Sequence, residues 1–201
     1  MHRLKPFSKK LVLMTHLKSS SGKKMSKKVT KEQFNLFTKT SFSLKQKRHN
    51  FLTSVSNSGG ILNFDDLFSD IERPGLSLYG SHFQNKSKNF RLKNVTTLVS
   101  KIIAIKEVKK GETVGYDGLW QATKNTSIGI IPIGYSDGIP LNYGNKGYVL
   151  VNKAKAKVIG RVAMDLMAIE LPNKKVKIGE DIILWGKDLK VDELALLTDN
   201  I

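Results

Sequence analysis

Tyr135 stands in Ile131-Pro-Ile-Gly-Tyr-Ser-Asp-Gly138, on a turn after an apolar run. A phenol placed there can serve as a general acid–base if a mobile substrate proton comes within reach and its pKa is lowered. Spacing alone fits an exposed aromatic in a β-turn equally well. Further on, Met164 lies in Gly160-Arg-Val-Ala-Met-Asp165; by residue type alone it is a core methionine. Arg73 precedes Pro74-Gly75 and reads either as a surface arginine or as a fixed cation. Ser58, in Ser56-Asn-Ser-Gly-Gly60, offers a hydroxyl in a loop rich in backbone donors. Such donors suit a phosphate dianion, although the same string also makes a plain flexible turn. His16 ends an apolar run and reads as structural or as a pocket residue, with Asn57 a second-line candidate of the same kind.

These groups need elements to hold them. Residues 10–17, Lys-Leu-Val-Leu-Met-Thr-His-Leu, predict a strand at Leu11–Thr15 buried on both faces of a parallel sheet. A polar loop is expected at 18–29. Thr30-Lys-Glu-Gln33 has capping-box spacing, and Phe34, Phe37 and Leu44 can then share one face of a helix. Phe51–Val55 predicts a second strand, Ile61–Ile71 a short helix or turn, and Leu76–Tyr79 a third strand. The alternation indicates β/α-barrel units. From about Asn94 the pattern changes to short β-branched runs at 95–108, 127–132, 147–151, 155–159, 167–169 and 181–184. Strands this short and closely spaced predict an antiparallel sheet or barrel. Val191–Leu197 reads as the start of a helix that the chain end cuts off. The expected domains are therefore 1–93 and 94–201.

With 201 residues and 40% hydrophobic content, one or two small domains can bury a core. No run of eighteen apolar residues occurs, so no membrane span is expected. The absence of cysteine excludes disulfides and cysteine-based metal sites, and an intracellular, cytoplasmic setting is expected. Residues 1–50 hold 14 Lys and Arg against the single acid Glu32, which is +13 of the total +17. No zinc-finger spacing, RNP-like string or aromatic interleaving accompanies that charge, so no nucleic-acid partner is expected. Met1–Lys10 is basic and acid-free like a transit peptide, but no apolar core or cleavage site for a secretory signal follows.

Taken in order, Arg73–Gly80, Ile131–Gly138 and Gly160–Asp165 resemble the C-terminal half of a bacterial alanine racemase. The resemblance covers nearly the whole chain, most densely 71–80 and 111–186. It implies the C-terminal part of a (β/α)8 barrel that binds pyridoxal 5'-phosphate (PLP), followed by a mostly antiparallel β domain. It implies interconversion of L- and D-alanine for cell-wall peptidoglycan synthesis. By the same resemblance Tyr135 is the base that takes the α-proton of the L-enantiomer. Arg73 faces the pyridine nitrogen of PLP; an arginine keeps its proton in proteins, so that nitrogen stays an acceptor. Ser58 and the backbone N–H groups of Gly75 and Leu76 form the phosphate cradle. His16 lines the cofactor pocket and helps position Arg73, with Asn57 nearby. Met164 contacts the substrate carboxylate from a partner subunit. Ala163, where the family usually has Cys, and Leu141, where an arginine is common, depart from the pattern.

The family's Schiff-base lysine lies in a Val-Lys-Ala-Asn-Ala-Tyr-Gly-His-Gly type of motif, and no such motif occurs in this sequence. The expectation is a chain that is inactive alone. It would act as a homodimer or with a complementing N-terminal racemase half; the alternative is a non-catalytic dimerisation or regulatory fragment.

Overall fold

The first strand described in the chain is short, three residues with its outer two exposed. The computed structural model describes residues 11–21, 23–81 and 92–198. The basic start at Met1–Lys10 lies outside them. The chain divides into two compact units, Met1–Lys93 and Asn94–Ile201.

In the first unit, strands β1 (Val12–Met14), β2 (Leu52–Asn57) and β3 (Ile71–Arg73) form a parallel sheet in the order β1-β2-β3. Helix α1 (Lys24–Gln46) joins β1 to β2, and α2 (Ser58–Asn63) follows β2 directly. Val55, Leu17, Phe64 and Leu67 make the core, with Phe34 and Phe37 of α1 packed on it. Two of the three residues expected on one helix face, Phe34 and Phe37, thus reach the core, and Leu44 is not part of that cluster. Val12 pairs with Leu52, Met14 with Ser54, and Ser54 with Ile71. Side chains alternate along a strand, so these residues share the other face. There Val12 and Met14 are 48% and 57% exposed. The expected burial of this strand on both faces is therefore not found: Val12 and Met14 are exposed, although Ser54 on the neighbouring strand is buried.

Three local expectations are corrected. Thr30 does not cap a helix; α1 begins six residues earlier, at Lys24, and Thr30 is buried inside it. Its hydroxyl, like that of Ser26, donates to the Ser19 carbonyl. Much of the expected polar loop is therefore helix. Ser58-Gly-Gly60 is not a loop but the first turn of α2, capped by the Asn57 carboxamide. Leu76–Tyr79 is a 3-10 turn rather than a strand. Its i→i+3 hydrogen bonds, Leu78 N–H to Gly75 and Gly80 N–H to Ser77, close before any strand partner is met. The strand of this region lies earlier, at Ile71–Arg73.

The second unit is a seven-stranded sheet in which every pairing is antiparallel. Its strands are β4 (Leu98–Lys101), β5 (Ala104–Val108), β8 (Thr126–Ile131), β9 (Tyr148–Val151), β10 (Ala154–Ile159), β11 (Met167–Glu170) and β12 (Asp181–Trp185). They run in the order β4-β12-β9-β10-β11-β8-β5. A two-stranded ribbon of β6 (Thr113–Val114) and β7 (Trp120–Gln121) lies between β5 and β8 in the chain. Helix α3 (Val191–Leu197) ends the described part. The β-branched runs supply what this sheet needs: Ile131, Val149, Val151, Val158, Ile169 and Ile182 are all fully buried in one cluster. Between β9 and β10, Asn152 and Lys153 both take positive φ, 50° and 66°. That is the two-residue turn whose twist matches a hairpin.

Candidate functional site

Arg73 is built in, not loose on the surface. It is the last residue of β3, two positions beyond Ile71 and so on the open face of the parallel sheet. One terminal nitrogen, Nη1, donates to the Ser54 hydroxyl. The other, Nη2, donates to the carbonyls of Thr15 at 2.8 Å and Val55 at 3.1 Å. Ser54 in turn donates to the Ile71 carbonyl at 2.8 Å. Three of the five guanidinium donors are spent on this frame, which leaves Nε–H and one Nη1–H. A cation so fixed at the C-terminal ends of parallel strands lies where such sheets place ligands. The His16 side chain makes no hydrogen bond to Arg73 among the described residues. It is exposed, and only its carbonyl is engaged, by Gln33.

Seventeen residues before Gly75, Ser58 opens α2. Its Oγ accepts from the backbone N–H of Gly75 at 2.8 Å and of Ser77 at 3.2 Å, with the Ser77 hydroxyl also at 3.2 Å. Two N–H groups and one hydroxyl thus converge on the Ser58 oxygen. The second amide is that of Ser77; the Leu76 N–H makes no such bond. Asn57 acts locally, its Oδ1 accepting from Gly60 N–H and from the Ser20 hydroxyl, both at 2.9 Å. Ser77 is a residue that sequence reasoning misses; its place two residues past Gly75 becomes meaningful only once 76–79 turns back toward α2.

In the second unit the structure brings Tyr135 and Met164 together. Tyr135 begins a 3-10 turn after β8, and the loop 161–166 precedes β11. Tyr135 N–H donates to the Ala163 carbonyl and Ser136 N–H to the Met164 carbonyl, each at 3.0 Å. The Ser136 hydroxyl adds bonds to the Met164 carbonyl and to Asp165 Oδ1. Asp137 closes the turn by accepting from Gly134 N–H at 2.9 Å. Tyr135 and Met164 are left 45% and 55% exposed. A methionine with that exposure is not a core residue, contrary to what residue type alone suggests.

A second phenol stands on the turn between β6 and β7. Tyr116 is 64% exposed, on a turn in which Gly115, Asp117 and Gly118 all have positive φ. Gly115 sits against Gly160 and Arg161, and Asp117 pairs with Arg161 at 3.2 Å. The sequence does carry a signal for it: Val114-Gly-Tyr-Asp-Gly118 flanks a tyrosine with glycines just as 134–138 does.

Parallel β/α units with a fixed arginine and a hydroxyl–amide cluster at their strand ends, followed by a curled antiparallel sheet with exposed phenols, define a barrel-plus-β-domain enzyme class. Family models agree with that class. The alanine racemase N-terminal domain matches residues 3–82 and the alanine racemase C-terminal domain residues 95–201. The chain belongs to the alanine racemase family. It is 42% identical over 189 residues to alanine racemase of Borreliella burgdorferi (strain ZS7), covering 91% of this chain and 50% of the relative. To alanine racemase of Mannheimia succiniciproducens it is 40% identical over 147 residues, covering 72% and 41%. The crystal structure of biosynthetic alanine racemase from Pseudomonas aeruginosa superposes with a TM-score of 0.81 at 31% identity, over 98% of this chain and 54% of that one. The chain spans about half the length of the curated relatives it matches.

Proposed function

We propose that this chain supplies part of the active site of a PLP-dependent racemase that interconverts L- and D-alanine. The observation that carries the reading is the paired geometry in the first unit: a pinned arginine and a convergent hydroxyl–amide cluster at the ends of neighbouring strands. The donor set fits the cofactor. The N–H groups of Gly75 and Ser77 and the Ser77 hydroxyl now meet at Ser58 Oγ; together with the Ser58 hydroxyl they are the donors that would hold a phosphate dianion. Leu76, His16 and Asn57 complete that pocket as the resemblance assigns them. Arg73, with Nε–H and one Nη1–H uncommitted, would be the partner of the ring nitrogen and, being unable to release a proton, would keep that nitrogen unprotonated. When bound, PLP supplies the electron sink for the charge left as the α-proton departs.

From the second unit come the proton-transfer phenol and, at Met164, a contact for the substrate carboxylate. The resemblance puts the phenol at Tyr135. One observation favours Tyr116 as a second reading: Asp117, a non-glycine residue, is held at φ 59° beside it. Strain of that kind persists where surrounding contacts impose it, often at functional sites. The same reading gives a cytoplasmic homodimer that makes D-alanine for peptidoglycan, in line with family membership. Among the described residues no helix is long and apolar enough to cross a membrane.

The motif that anchors the cofactor through lysine is not in this sequence. We therefore expect the chain alone to be inactive and a partner carrying that lysine to restore turnover. The test is to add PLP and borohydride to the purified chain, then to mix in the first half of a full-length relative and follow D-alanine by chiral chromatography. Expected are no reducible adduct on the chain alone and racemisation in the mixture. A reducible adduct on this chain would show that one of its own lysines substitutes. A mixture that assembles yet neither binds PLP nor racemises alanine would overturn the reading.

A further inference from the structure

We infer that Gln33 is a positioning residue for Arg73. It lies on α1, outside the strand ends, and touches none of the groups assigned to the cofactor except through the backbone of the turn after β1. Its Nε2 donates to the Thr15 hydroxyl at 2.9 Å and to the His16 carbonyl at 2.7 Å. Its Oε1 accepts from Lys18 N–H at 3.0 Å. Both donors and one lone pair of the carboxamide are thus committed to a single four-residue turn. Only an amide supplies two donors and an acceptor from one planar end group; a carboxylate of the same length offers no donor and would repel the His16 carbonyl.

That turn carries the acceptor that orients Arg73. Thr15 faces three ways: its hydroxyl to Gln33, its N–H to the Ser54 carbonyl at 3.1 Å, and its carbonyl to Arg73 Nη2 at 2.8 Å. Gln33 therefore sits one residue removed from the guanidinium. The stretch just beyond is fastened separately. Ser26 and Thr30 hold the Ser19 carbonyl, Asn63 holds that of Ser20, and Asn57 accepts from the Ser20 hydroxyl. Removing the Gln33 amide releases the Thr15 hydroxyl, the His16 carbonyl and the Lys18 N–H, while Thr15 N–H stays on the Ser54 carbonyl and Leu17 stays in the core. The acceptor for Arg73 on that side is then held by one bond where it had two, and Ser54 and Val55 on the other side are untouched. The link from this frame to PLP rests on the proposed function; the link from Gln33 to Arg73 does not.

The test uses the full chain with 15N-labelled arginine. Arg73 is one of five arginines, and an Arg73→Lys variant assigns its signals. Restricted rotation of a pinned guanidinium gives separate Nη resonances. Expected in Gln33→Met and Gln33→Glu is their collapse to an averaged signal, with the backbone amides of β2 and β3 unshifted. Separate Nη signals in both folded variants would overturn the inference. So would loss of the fold in both, because Gln33 would then be a structural residue. A second arm measures PLP affinity at equilibrium. It should weaken about tenfold in Gln33→Met, the effect of one or two lost hydrogen bonds, while inorganic phosphate binding stays unchanged. Unchanged PLP affinity also counts against the inference. The affinity is read in the chain mixed with the first half of a full-length relative; if that mixture with the unaltered chain binds no PLP, the cofactor reading fails on its own, and the arginine spectrum still decides the role of Gln33.

Discussion

Tyr135 donates its backbone N–H to the Ala163 carbonyl at 3.0 Å, so the phenol and Met164, next to Ala163, are carried on loops stitched together by main chain. Side-chain changes in either loop leave that bond in place. The vulnerable point is Gly134, where a Cβ would lie 2.3 Å from the carbonyl oxygens of both Ala163 and Met164. Its φ is −148°, so the difficulty is space, not backbone conformation. Gly134→Ala should cost about 1–3 kcal/mol, the usual size for overpacking against groups that cannot move aside. Urea unfolding of the chain measures it; an unchanged midpoint would mean that the two loops are not rigidly joined.

Tyr116 and Tyr135 make separable claims. In a racemase reconstituted with this chain, the phenol that carries the proton should lose about 10²–10⁴-fold in turnover when changed to Phe, the range for general acid–base groups. The resemblance assigns the larger loss to Tyr135; the strained turn, as the second reading, assigns it to Tyr116. A larger loss in Tyr135→Phe returns the role to Tyr135, and small losses in both would remove the second unit from proton transfer.

Tyr143 gives the second unit an alkaline limit. Burial pushes its pKa well above the ordinary value, and its hydroxyl donates to the Tyr148 carbonyl at 2.7 Å, a bond that only the protonated form makes. The folded chain holds this proton where the unfolded chain releases it. Stability is therefore fully present below a pH of about 10 and falls as pH rises further. Tyr143→Phe should cost about 0.5–1.5 kcal/mol at neutral pH by losing the hydrogen bond, and should flatten the alkaline decline. Thermal melts across that range decide it; a variant that declines as steeply as the parent would show that other groups set the limit.

Asp70 sets an acid limit in the first unit. Its carboxylate accepts from the Thr53 hydroxyl at 2.6 Å and from Thr53 N–H at 2.7 Å, and these two bonds hold its pKa below the ordinary aspartate value. The folded state thus resists protonation more than the unfolded state. The contribution is present above the ordinary aspartate pKa and is lost as pH falls through the lowered one. Asp70→Asn should lower the neutral-pH melt slightly, by removing that contribution, and make the first unit less sensitive to acid. An identical acid transition in variant and parent would count against it.

Much of the second unit is legible in the sequence because its strands are β-branched and its turns carry glycine and asparagine. Local preference and tertiary demand agree there, as at Val149–Val151 and Val158–Ile159. The first unit is less legible where a signal depends on partners distant in sequence. The Leu11–Thr15 run reads as buried whether or not anything covers Val12 and Met14, since apolar content does not report a neighbour. Thr30 sits at capping-box spacing, yet its hydroxyl is claimed by Ser19 eleven residues earlier, and no local pattern encodes that bond. Arg73 and Ser58 are legible as types; their frame is not, because Thr15, Ser54 and Val55 hold the arginine mainly through carbonyls that every residue possesses. Ser77 and Gln33 escape for the same reason.

The seven-stranded sheet places its first strand beside its last: β4 pairs with β12, antiparallel, and Leu98 lies opposite Trp185. The two ends of this sheet therefore leave it side by side. Tension applied through them would load the β4–β12 ladder one rung at a time, peeling it instead of shearing all its bonds together. Resistance to pulling is governed by the barrier to unfolding, not by equilibrium stability. A domain with so well buried a core should thus open at low force from its ends. The same strands pulled through internal residues, so that the ladder is sheared, should hold much longer.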